Sequence, residues 1–239
     1  MRHFVFLALC FAALVSNDGI AQAQSVGLFG AIPPAKNEVS VPPRIRSLLP
    51  PGAKVRVWGR TELTTHGEEF VLFDVGSDRF YAGRSIAAFV RGTTLLQKLY
   101  LTDECYLSHI ALFNLTPNAL SLAITFRCFG DGAEAQFVFL AASPGHGYRK
   151  ILDLKTDEGR VRIHKGTPIL LETWTARPDH DPPDPEQSCV WCEHHYEIRT
   201  YELRDGRFQP RPKSEITDDT FDPGDFLLKP LEVVPADEE

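Results

Sequence analysis

The sequence predicts an all-β or β-dominated domain built from antiparallel hairpins, and three observations carry that prediction. Phenylalanine is frequent, 16 among 239 residues, beside 18 prolines and 17 glycines. Aromatic side chains suit a pleated, half-buried surface, while Gly and Pro supply the turns between strands. Val161 and Ile163 alternate with Arg160, Arg162 and His164, the period of two expected of a strand with one buried face. Asp205-Gly206 then separates two strand-like runs, a strong short-range hairpin signal. Apolar residues at 43% and charged residues at 24% are ordinary globular proportions, so disorder of the whole chain is excluded.

Taken in order, the chain opens with Met1-Arg2-His3, an apolar run from Phe4 to Val15, and the small-residue triplet Ala21-Gln22-Ala23. This order predicts a signal peptide over residues 1–23 and a secreted or periplasmic protein; the run is too short to span a bilayer. Residues 24–47 form a Pro-rich N-terminal segment with Pro33, Pro34, Pro42 and Pro43 and little periodicity. Residues 48–212 form the predicted β-rich domain. Its strand candidates are the runs beginning at Lys54 and Phe70, then Leu95–Leu101, His109–Asn114 and Ala119–Phe129. Phe137–Ala141, Tyr148–Leu154, Val161–Ile163, Ile169–Thr175, Tyr196–Leu203 and the return strand from Arg207 complete the series. Only Arg84–Val90 reads as a short helix. Residues 213–239 are an acidic C-terminal tail expected to have little regular structure.

Three segments share a pattern of strand, glycine turn and aromatic return. They are Glu69 to Phe80, Gln136 to Tyr148, and Tyr196 to Phe208. With Leu49-Pro50-Pro51-Gly52 leading into a strand, this pattern resembles secreted bacterial proteins with FG-GAP or VCBS-like β-propeller repeats. The resemblance covers roughly residues 48–210 and implies an incomplete propeller-like or sandwich arrangement serving as an interaction platform. It departs from that family at the Asp-x-Asp-x-Asp-Gly calcium loop, of which Gly130-Asp131-Gly132 is the nearest remnant.

Charge narrows the partners. The net charge is −7. Residues 215–239 hold nine acids against Lys229 alone, so residues 24–214 are close to neutral. A near-neutral body lacks the basic footprint that phosphate backbones require, so nucleic acid is not an expected partner. A protein or a glycan is. Trp58, Trp174 and Trp191 are candidates to stack on a sugar ring, although core packing is the commoner use of such residues.

The cysteines carry the most specific motif. After the signal segment they are Cys105, Cys128, Cys189 and Cys192, an even count suited to disulfides in an exported chain. Cys105 and Cys128 flank two adjacent strand candidates and are expected to face each other across a hairpin. Cys189-Val190-Trp191-Cys192 is then a local pair, followed by Glu193-His194-His195. A disulfide closing a tight turn is the leading reading. The alternative is zinc held by Cys189, Cys192, His194 and His195, which would make this a zinc- or thiol-dependent protein. A thioredoxin-like pair needs a following helix, whereas Tyr196–Leu203 reads as a strand. Covalent haem needs a histidine where Glu193 stands.

No catalytic residue is assigned. Ser85 within Gly83-Arg84-Ser85-Ile86-Ala87 loosely fits a nucleophile elbow, without the alternating β–α context that motif requires. The adjacent acids Glu68-Glu69, Asp103-Glu104 and Asp218-Asp219 are poor acid–base couples, because neighbours on a strand point to opposite faces. Arg160, Arg162, His164 and Lys165 make a basic strip, expected to be solvated or to meet an acidic ligand or the protein's own tail.

Overall fold

The computed structural model describes residues 38–60, 68–76, 83–103, 105–116, 119–128, 134–143, 147–177, 192–228 and 230–234. Among these, strand accounts for 69% and helix for 5%. Three consecutive meanders form three sheets. Sheet A holds β1 (Lys54–Arg60), β2 (Glu69–Val75), β3 (Arg84–Arg91) and β4 (Thr94–Asp103) in chain order. Sheet B holds β5 (Cys105–Thr116), β6 (Ala119–Cys128), β7 (Ala135–Ser143) and β8 (Gly147–Thr156), again in chain order. Sheet C contains β9 (Arg160–His164), β10 (Leu170–Ala176), β11 (Tyr196–Arg204) and β12 (Arg207–Ile216). It also gains β13 (Leu231–Val234), in the order β12-β11-β10-β9-β13. None of the three closes on itself among the described residues.

Successive residues of a strand feed opposite faces, and the sheets are layered with B in the middle. Phe70 and Leu72 of β2 and Ala87 and Phe89 of β3 pack on Leu122, Ile124, Phe126, Val138 and Leu140 of sheet B. The opposite face of sheet B sends Ala123, Phe137 and Phe139 toward Val161, Ile163, Leu171 and Phe208 of sheet C. A sheet covered on both faces is written as a continuous apolar run, not as an alternation. That is why Phe137-Val-Phe-Leu140 is buried throughout. The same physics corrects the helix expected over Arg84–Val90, which is β3. Ala87 and Phe89 face sheet B, while Ala88 and Val90 face the N-terminal segment. A short run buried on both sides has no periodicity to distinguish strand from helix.

The N-terminal segment covers the outer face of sheet A. A single turn of helix, α1 (Pro43–Arg46), places Ile45 and Leu49 over Val71, Phe73 and Val90. Arg44 fixes it there by a two-pronged ion pair with Glu69, at 2.5 and 2.9 Å. The Pro-rich segment therefore acts as a lid on the core from Val39 onward.

β4 crosses the strands of sheet B. Gln97 contacts β8, Leu101 reaches β7 and β8, and Thr102 meets β5. This is the corner arrangement of crossed sheets, with β5 beginning at Cys105 directly after β4 ends at Asp103. The Gln97 amide imitates a neighbouring strand. Its Nε2 donates to the Tyr148 carbonyl and its Oε1 accepts from the Tyr148 N–H, each at 2.8 Å. Position 147 must be glycine for this, since its φ is +72° and a Cβ would lie 2.6 Å from that Oε1.

The acidic C-terminal segment is more ordered than expected. β12 continues to Ile216, α2 (Pro223–Leu228) follows, and β13 adds to β9 as a parallel edge strand. Apolar residues interrupt the acids here. Phe226 is 3% exposed and Val234 is buried. Two or three apolar anchors suffice to hold a segment whose net charge alone suggests a solvated tail.

Candidate functional site

The cysteine pairing across the hairpin is as the sequence predicts. Cys105 and Cys128 are directly opposite residues of β5 and β6 and are joined by a disulfide. Cys105 is buried in the cluster that holds Leu101 and Phe126 and Cys128 partly so, with Thr102 Oγ1 lying 3.2 Å from Cys105 Sγ.

The second motif falls only partly on described residues. Cys189 and Trp191 lie outside them. Cys192 is disulfide-bonded, so its sulfur is not a thiolate available to a metal. The two histidines after it separate. His194 is 4% exposed and turns inward, its Nε2 3.4 Å from Glu158 Oε2. His195 Nδ1 faces the Thr217 carbonyl at 2.8 Å, so that nitrogen carries the proton and donates. Of the alternative zinc set, Cys189, Cys192, His194 and His195, the first lies outside the described residues, and the two histidines are turned to different partners. Alternation along an extended chain points neighbouring side chains apart. Among the described residues, no three His, Cys, Asp or Glu side chains group as a ligand set.

His194 is instead part of an aromatic closure. Its backbone exchanges hydrogen bonds with Phe221. Phe221 and Phe226 pack edge-on to Trp174, with ring centroids 5.4 and 5.8 Å away, and Tyr196 lies 4.7 Å from Phe226. The Tyr196 hydroxyl donates to the Glu158 carbonyl. Burial raises the Glu158 carboxyl above its ordinary range, the nearby His194 pulling the other way. Trp174 is accordingly a core residue, and Trp58 packs partly buried beneath the N-terminal segment. Phe221 and Phe226 escaped the sequence reading, although two aromatics in an acidic run were the available signal.

The basic strip on β9 meets the protein's own C-terminal segment. Arg162 Nε lies 2.9 Å from Glu232 of β13, and Arg160 lies 3.6 Å from the same carboxylate. The Arg160 guanidinium also sits 4.4 Å from the ring centres of both Trp174 and Phe226. Burial lowers its pKa, with the Arg162 charge adding to the effect. Arg160, Arg162 and His164 are half-buried and face Glu232 or Glu172. The strip is not an open solvated face.

The remaining polar candidates hold elements together. Ser85 is 1% exposed within β3, and its hydroxyl donates to Asp74, which also pairs with Arg56 at 2.6 Å. It is not at an elbow. Glu68 and Glu69 do point to opposite sides: Glu69 to Arg44, Glu68 to Arg91 and to the Tyr148 hydroxyl. Tyr148 lies flat on Phe89 with centroids 3.4 Å apart, so this group clamps sheet A to sheet B. On β5 a bulge at Ser108 brings its hydroxyl 2.7 Å from His109 Nδ1. Burial, helped by the Arg127 charge, lowers the His109 pKa.

Other expectations lie partly or wholly outside the described residues, among them Glu104, the Gly130-Asp131-Gly132 remnant and the cleavage region. The three segments aligned by the sequence pattern occupy different places. β2–β3 is central in sheet A, whereas β7–β8 and β11–β12 lie at sheet edges. No helix among the described residues is long and apolar enough to cross a membrane. Compared with protein-family models, curated proteins and solved structures, the chain matches none.

Proposed function

We propose that this protein is an exported binding or structural module without catalysis of its own, working in the secreted or periplasmic space. The observation that supports the reading is the use made of its buried ionisable groups. Glu68, Glu69, Asp74, Glu158 and His194 each engage a partner on another element. Groups tied in this way serve to register the sheets, and catalytic chemistry requires at least one acid, base or nucleophile left to meet a substrate. Three stacked open sheets supply a rigid platform whose loops and edges contact a partner, as the propeller-like resemblance also implies. The alternative centred on Cys192 is weakened by the bonded state of that sulfur.

The test is metal and thiol analysis of protein recovered from an exporting host, under denaturing and non-reducing conditions. The expected result is no free thiol, zinc well below one equivalent, and a peptide linking Cys189 to Cys192. Near-stoichiometric zinc that disappears in Cys192→Ser would overturn the reading in favour of a metal-dependent protein.

A further inference from the structure

The turn between β11 and β12 concentrates positive charge in a way the isolated protein does not need. Arg204 and Arg207 are directly opposite residues of the hairpin. Like charges in that position repel and destabilise the pair of strands. A third guanidinium arrives from another sheet. Arg149 of β8 reaches beneath the turn, so close that a Cβ on Gly206 would meet its Nη2 at 1.9 Å. The glycine both adopts a φ of +68° and leaves room for that side chain. Arg211 of β12 lies on the same hairpin, 42% exposed.

Matching acids are fewer than the arginines. Glu202 pairs with both Arg204 and Arg211, at 2.8 and 3.2 Å, and Asp205 occupies the turn itself. Neither Arg149 nor Arg207 meets a carboxylate among the described residues, and the Arg149 Nε is buried without an acceptor. A guanidinium whose donors lack acceptors in a partly buried place is costly, and an arriving oxyanion removes that cost.

We infer that the β11–β12 turn, with Arg149, Arg204, Arg207 and Arg211, is a docking surface for a polyanionic glycan. The inference rests on the binding-module reading above and names its ligand class. Planar guanidinium groups match sulfate, phosphate or carboxylate oxygens two at a time. Three of them on one hairpin, with Arg149 reaching it from β8, suit a flexible chain carrying spaced anionic groups. The patch is too short for the long run of phosphates that a duplex presents. A lipid surface is disfavoured because the exposed large apolar residues, Leu96, Tyr100 and Ile216, are not at this turn. Pro210 and Pro212 leave two positions of this edge strand without N–H donors, which favours side-chain recognition over the addition of a partner strand.

The experiment is titration calorimetry of the full mature chain with a heparin-derived hexasaccharide, at low and moderate salt. The Arg149→Gln/Arg207→Gln double variant is compared with Arg84→Gln, whose target is 64% exposed on sheet A. The double variant is expected to bind at least about tenfold more weakly and to lose roughly two from the salt-dependence slope, with Arg84→Gln within about twofold of the parent. Without ligand, Arg207→Gln should melt at or above the parent temperature, since it removes a repulsion; a purely structural role would lower it. Equal losses in both variants, or tighter binding to a DNA duplex or to anionic vesicles than to the hexasaccharide, would overturn the inference. Binding that survives the double variant would move the site elsewhere and leave the module a binder. Cleavage of the hexasaccharide would instead overturn the non-catalytic reading.

Discussion

Replacing Cys105 and Cys128 together by alanine perturbs the junction of sheets A and B with little change in shape. The bridge links residues 23 apart in the chain. Releasing a cross-link of that span returns conformational entropy to the unfolded chain worth about 3 kcal/mol near room temperature. For a domain of this size that corresponds to a fall in Tm of roughly 6–12 °C. Two further consequences follow from where the cysteines sit. Cys105 is 2% exposed in the cluster formed by Leu101, Ile110 and Phe126, so deletion also removes some packing and pushes the loss upward. The unfolded chain becomes less compact, so the urea dependence should steepen. The assay is equilibrium urea unfolding of the parent and the double variant at neutral pH without reductant, which leaves the Cys192 disulfide intact in both. A loss below about 1 kcal/mol with an unchanged slope would refute the entropic reasoning, because it would mean that the unfolded chain already holds β5 and β6 together.

Phe226→Ala should cost about 3 kcal/mol, because it opens the contact with Trp174, Tyr196 and Arg160; hydrogen exchange should then accelerate in β13 before it does in β9. Tyr148→Phe keeps the stack on Phe89 but removes the phenol from Glu68, and a cost of about 2 kcal/mol in urea unfolding is expected for a bond to a charged group. His109 is held below its ordinary pKa by burial and by Arg127, so the folded state binds its proton less readily than the unfolded state. Its contribution is present above the unfolded value near 6.5 and is lost as pH falls through the lowered folded value. Urea midpoints measured down from neutral pH should therefore decline less steeply in His109→Gln than in the parent.

Much of the architecture was legible in the chain because strands declare themselves locally. Period-two alternation at Arg160–His164, the Asp205-Gly206 turn and the cysteines flanking one hairpin each depend on residues close in sequence. Their structural counterparts are β9, the β11–β12 hairpin and the Cys105–Cys128 bridge. Arg84–Val90 reads as a helix and is a strand for a physical reason. Its strand is buried on both faces, and two-sided burial erases the alternation that distinguishes a strand.

By itself the sequence determined a β-dominated class, the hairpin positions and the pairing of one disulfide, since neighbouring residues and backbone propensities settle these. Only the tertiary structure decided what long-range approach controls. It set the middle position of sheet B and turned His194 away from His195. It brought Phe221, Phe226 and Glu232 of an acidic segment onto sheet C. It also placed Arg149 under a turn more than fifty residues further along the chain. No local pattern encodes such meetings, because each depends on two distant segments being held by a core that neither of them specifies alone.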